Sequence, residues 1–177
     1  HAALGAEIPT CMADILGGGG GAGGAAGARH DHPVASAAVR GGAQREQLPS
    51  PTVATFYSIS NTQPGLSGVD LGNFLIKQVV ELLKSELPQL TCFATLSPLP
   101  GFARWLAVEH GGHVPVGDAL RAEAARYLVT GRSPAGAVLD PVARFHLGNG
   151  ARLERINYLG DLSPKALRDG AGLMVNY

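Results

Sequence analysis

Two rhythms of apolar and polar residues run along the chain, and each predicts an element. Val53-Ala54-Thr55-Phe56-Tyr57-Ser58-Ile59-Ser60 is β-branched and aromatic, which predicts a strand, and the turn signal Asn61-Thr62-Gln63-Pro64-Gly65 stops it. From Asp70 to about Leu87 the residues Leu71, Phe74, Leu75, Val79, Leu82 and Leu83 recur at three- and four-residue spacing. This predicts an amphipathic helix with Lys77 and Glu81 paired on its outer face, ended by Pro88. Leu90 to Ser97 reads as a second strand, closed by Pro98-Leu99-Pro100-Gly101. A strand, a helix and a strand in succession form a βαβ unit, in which a right-handed crossover makes the strands parallel. Their C-terminal ends then share one sheet edge with the N-terminus of the helix, and ligands of open α/β sheets bind at such an edge.

The flanks are less regular. Leu4, Ile8, Met12, Ile15 and Leu16 carry a helical spacing that Pro9 interrupts, so a short strand or helix is expected there. Beyond Gly101 a helix is predicted near Ala119 to Val129, capped by Asp118 and closed by Gly131. A helical turn starts at Pro141 with Asp140 as its cap and runs to Phe145-His146-Leu147. Leu153 to Tyr158 and Leu173 to Tyr177 read as strands, separated by a turn or short helix over Ser163 to Gly170.

Composition changes this picture in one place. Of the 177 residues 25 are glycine, and eight of these fall in the twelve residues from Gly17 to Ala28, the other four being alanine. No core can form from such a block, so Gly17 to Ser50 is expected to be a flexible insert, leaving one domain of ordinary size. The 14 basic and 14 acidic residues cancel, which removes the basic footprint that nucleic-acid binding requires. Cys11 and Cys92 fit no metal-ligand or redox spacing and are expected to be buried thiols. No apolar run is long enough to cross a membrane and no secretory leader opens the chain, so a soluble, intracellular protein is expected.

Taken residue by residue, the chemistry is sparse. The glycine-rich loop before the 70–87 helix could cradle a phosphate or simply turn the chain. His146 could be a general acid or a structural helix-end histidine, and Ser97 between Leu and Pro says little alone. His30, His32, His110 and His113 lack the further ligands a metal would need. No nucleophile elbow, His-Glu-x-x-His or Walker loop occurs.

Longer motifs are more specific. Phe56-Tyr57-Ser58-Ile59-Ser60 with Thr62-Gln63 and Gly65-Leu66, then Gly68-Val69-Asp70-Leu71-Gly72 and Phe74-Leu75-Ile76-Lys77, resemble the malonyl-CoA decarboxylases. So do Leu96-Ser97-Pro98-Leu99-Pro100-Gly101-Phe102, Asp140-Pro141-Val142-Ala143 with Phe145-His146-Leu147 and Asn149-Gly150-Ala151, and Arg155-Ile156-Asn157 with Gly172 to Tyr177. The resemblance implies an α/β (α+β) fold, a GNAT acetyltransferase-like mixed sheet with flanking helices. The family's pyrophosphate loop would fall on Ser67 to Gly72, with Ser and Asp replacing its Gln/Arg and first Gly.

The same resemblance implies decarboxylation of malonyl-CoA to acetyl-CoA and CO2, without a metal or organic cofactor. Its Ser-His pair falls on Ser97 and His146, with His146 as proton donor and Ser97 orienting either the malonyl group or the imidazole. Ser58 and Asp70 match further site positions, and the CoA pyrophosphate would rest near Gly68, Leu71 and Gly72. The chain is expected to be a single catalytic domain and a fragment. The family carries a preceding helical domain, through which any homo-oligomer would form, a longer segment between the Pro-Gly-Phe and Asp-Pro-Val motifs, an Asn where Arg144 stands, and a further tyrosine two residues beyond Tyr177. The rival readings are a GNAT-type acyl-CoA-dependent N-acyltransferase and a non-catalytic CoA-binding fragment.

Overall fold

The computed structural model describes residues 1–17, 50–57 and 71–177, the side chains of 71–73 excepted. Of the expectations above, the inserted segment apart from its two end residues, and the site positions Ser58, Gly68 and Asp70, lie outside the described residues.

The fold is mixed α/β, built in chain order from β1 (Ala2–Gly5), α1 (Met12–Leu16), β2 (Val53–Phe56), α2 (Leu71–Glu86), β3 (Cys92–Thr95), β4 (Ser97–Pro98), α3 (Phe102–His110), α4 (Gly117–Thr130), α5 (Pro141–Gly148), β5 (Arg155–Asn157), α6 (Pro164–Gly170) and β6 (Met174–Asn176). β2 and β3 pair in parallel, Val53 opposite Cys92 and Phe56 opposite Thr95, as a βαβ crossover requires. β1 adds antiparallel to the other side of β2. A second sheet has the order β4-β6-β5, both pairings antiparallel.

The two sheets meet within one stretch of backbone. Leu96 still donates its N–H to Phe56 O on β2 at 2.8 Å, while Thr95 already donates to Tyr177 O beyond β6 at 2.9 Å. Residues 92–98 thus exchange one neighbour for another, and the end of the chain is laid beside the end of β3.

Three local expectations need correction. Glu81 pairs with Lys84 at 3.2 Å rather than with Lys77, the order in which a glutamate preceding a lysine is favoured along a helix. Val116, not Asp118, is the N-cap of α4; the helix begins two residues earlier, so the Asp118 carboxylate turns sideways to Arg121 within the first turn. Cys11 and Cys92 are free but only half-buried.

Helix α3 falls where no element was expected. Phe102 and Leu106 lie one turn apart on its buried face, and Gly111 ends it at φ +60°, donating its N–H to Ala107 O. That left-handed cap is a conformation glycine adopts without a Cβ penalty. The main apolar cluster assembles Leu99, Phe102 and Leu106 with Leu120, Ala124, Tyr127 and Leu128 of α4, Ala143 of α5, and Leu173, Val175 and Tyr177 at the chain end. Among the described residues, no helix is long and apolar enough to cross a membrane, and no group of three His, Cys, Asp or Glu side chains is arranged to hold a metal ion.

Candidate active site

His146 owes its position to the way its helix starts and stops. Asp140, 1% exposed, caps α5 with Oδ1, which accepts the N–H groups of Val142 at 3.0 Å and Ala143 at 2.9 Å, while Pro141 fills the first turn, where its missing N–H costs nothing. At the other end Asn149 donates through Nδ2 to Phe145 O at 2.8 Å. Ala143 and His146, three residues apart, form the buried face of this two-turn helix.

Ser97 comes from the other side. It lies in β4, opposite Val175 of β6, and its side chain shares a strand face with that of Thr95 two residues earlier. Ser97 Oγ stands 3.1 Å from Thr95 Oγ1 and 3.1 Å from His146 Nε2, and Ser97 and His146 are both buried. A contact between residues 49 apart in sequence is thereby made inside the protein. Burial disfavours the charged imidazole and holds the His146 pKa below its ordinary value of 6.5.

Around this pair lie groups that the sequence reading did not assign to the site. Thr95 extends the hydroxyl chain. Tyr177 stacks on the imidazole. Behind it Tyr127 donates to Asp140 Oδ2 at 3.4 Å. Burial pushes the Asp140 carboxyl and both phenols upward, and the Asp140 charge adds to the rise at both tyrosines. Gly101 is packed so closely that a Cβ there would meet the Tyr127 hydroxyl at 2.6 Å, which explains why the Pro-Gly-Phe turn carries a glycine.

β6 is fixed beneath the site by Asn176, which is fully buried and fully bonded. Its Oδ1 accepts from Asn157 Nδ2 at 2.8 Å and from Arg155 Nε and Nη2, and its Nδ2 donates to Thr95 O at 2.9 Å and Pro9 O at 3.2 Å. A buried amide with every group satisfied specifies one register for the strands it joins. Thr95 and Asn176 could have been noticed in the sequence as polar residues inside apolar strands. Leu71 and Gly72, expected near a pyrophosphate, open α2.

The order of these elements matches known proteins. The sequence model of the "Malonyl-CoA decarboxylase C-terminal domain" matches residues 32–117 and 113–177. The chain belongs to the malonyl-CoA decarboxylase family. Among its relatives, the mitochondrial malonyl-CoA decarboxylase of Mus musculus is 40% identical over 170 residues, covering 70% of this chain and 34% of that protein. That of Anser anser anser is 36% identical over 171 residues, covering 71% and 34%. The chain thus spans about a third of the length of these curated relatives. Crystal structures of malonyl-CoA decarboxylases from Agrobacterium vitis and Rhodopseudomonas palustris superpose with TM-scores of 0.72 and 0.70 at 42% and 39% identity. Each alignment covers 99% of this chain, and 44% and 41% of the respective decarboxylase.

Proposed function

We propose that this chain carries the reaction site for decarboxylation of malonyl-CoA to acetyl-CoA and CO2, with Ser97 and His146 as its working pair. The observation that carries the reading is the 3.1 Å approach of Ser97 Oγ to His146 Nε2 in a buried setting, in a chain of this family. In the reaction the bond between the malonyl α-carbon and its carboxyl carbon breaks. The bonding electrons pass to the α-carbon and spread onto the thioester oxygen, CO2 departs, and one proton is added to the α-carbon. The thioester itself holds the developing charge as an enolate, so the residues need only place donors, exclude water and deliver a proton.

His146 is the proton donor in this reading. Its imidazole is neutral near pH 7 before substrate arrives, because burial opposes the charged form. The malonyl carboxylate reverses that balance on entering, since a nearby anion favours the imidazolium. Ser97, bonded to Nε2, orients either the imidazole or the malonyl group. The amides of Gly68 to Gly72 are proposed to receive the CoA pyrophosphate, since the start of a helix offers free N–H groups and the positive end of a helix dipole, and Ser58 and Asp70 are proposed as further substrate-binding positions.

The test is release of CO2 from carboxyl-labelled malonyl-CoA by the 177-residue chain, with acetyl-CoA as co-product. Ser97→Ala and His146→Ala are each expected to lower the rate by roughly two to four orders of magnitude while CoA binding persists. Because the acid form of His146 is required and its pKa is depressed, kcat/KM should fall as pH rises above a value lying below 6.5. Near-normal turnover in either variant would refute the assignment.

A further inference from the structure

Tyr177 ends the chain directly after β6, and its ring lies on the face of the His146 imidazole, the centroids 4.6 Å apart and the planes 23° from parallel. Both residues are 6% exposed. The phenol oxygen finds no hydrogen-bond partner among the described residues, so no polar bond accounts for the burial of this side chain. Its specific contact is with the imidazole.

That contact meets a mechanical need. The second side-chain torsion of a histidine is broad and roughly two-fold, so a hydrogen bond from Nε2 to Ser97 fixes one atom and leaves the ring plane free to tilt. A flat ring stacked on one face removes this freedom and keeps water from that side. The Phe145 ring meets the imidazole edge-on at 75° and supplies no second plane. Asp140 and Tyr127 are the titratable groups next to the phenol.

We propose that Tyr177 is a positioning residue whose ring holds the His146 imidazole in plane, so that Nε2 stays on Ser97 and shielded from water. The catalytic consequence rests on the decarboxylase reading above; the geometry does not.

Two readouts in two variants test it in the 177-residue chain. Tyr177→Phe keeps the ring, so kcat should stay within about twofold and the His146 titration followed by NMR should not move. Tyr177→Leu keeps an apolar side chain without a plane; kcat should fall about 10- to 100-fold with KM within about threefold. The His146 titration should then rise toward its ordinary value as water reaches the ring. If Tyr177→Leu does not fold, Tyr177→Met takes its place with the same expectation. An unchanged kcat and titration in the leucine or methionine variant overturns the proposal. So does a fall in kcat with an unmoved titration, or a phenylalanine variant as impaired as the leucine one. Absence of turnover in the unsubstituted chain would sink the decarboxylase reading alone, because the NMR titration still decides whether the ring shields the imidazole.

Discussion

The two halves of the molecule carry similar apolar periodicity but do different things with it. In the half built on β4-β6-β5, helices α3, α4 and α5 turn their apolar residues into one cluster with the chain end. In the half built on β1-β2-β3, the strand residues Val53, Ala54 and Phe56 are buried, yet among residues 74–86 of α2 none is. Phe74, Leu75 and Leu82 are each more than half exposed. Hydrophobic spacing describes the composition of a helix face and leaves open whether a layer lies over it. The Ser97–His146 contact is held where the layers close, with Ser97 at the seam between the sheets and His146 on a helix packed into the cluster.

The sharpest way to break this contrast is to remove a side chain from the closed half. Leu106 is 1% exposed and belongs to the cluster, so Leu106→Ala removes buried methyl groups and leaves a void. A loss of roughly 2–5 kcal/mol in urea unfolding is expected, the usual cost of such truncations. A loss below about 1 kcal/mol would mean that the cluster is not the stabilising centre of the fold.

A smaller effect is expected at the polar edge of the same half. Asp140→Ala removes the N-cap of α5 and the acceptor of the Tyr127 hydroxyl. The cap contributes about 0.5–2 kcal/mol, and a stranded buried hydroxyl costs about 1–3. Relief of burying a carboxylate, visible in the raised pKa of Asp140, offsets part of this, so the net loss should be roughly 1–3 kcal/mol. Asp140→Asn keeps an oxygen able to cap and should lose less than the alanine variant. Equal losses in the two variants would show that the charge, rather than the cap, is what the fold uses.

How much of this could be read in the sequence follows the range of the interaction. The α5 helix was legible because its punctuation is local: an Asp-Pro start and a Gly-Asn-Gly stop lie within ten residues of each other. The parallel pairing of β2 and β3 was legible because a strand, a helix and a strand in succession leave few topologies. Helix α3 was not, since its two buried residues follow a Pro-Gly turn that reads as loop. The approach of Ser97 to His146 lies beyond any periodicity, and only the family motifs brought the two together in the sequence reading. The stack of Tyr177 on His146 was not legible, because nothing in a terminal strand names the ring it will cover.

The smallest expected effect tests the open half. Leu75 is 62% exposed on α2, so Leu75→Gln removes little buried area. Leucine and glutamine have similar helix propensities, which leaves no backbone penalty to register. The unfolding free energy should therefore change by less than about 0.5 kcal/mol, against the several expected at Leu106. The comparison has force because both changes shorten or polarise a leucine on a helix with an apolar stripe, and only the layer above the stripe differs. A loss above roughly 1.5 kcal/mol would show that in solution something covers this face of α2, and the contrast between the halves would then be one of partner rather than of packing.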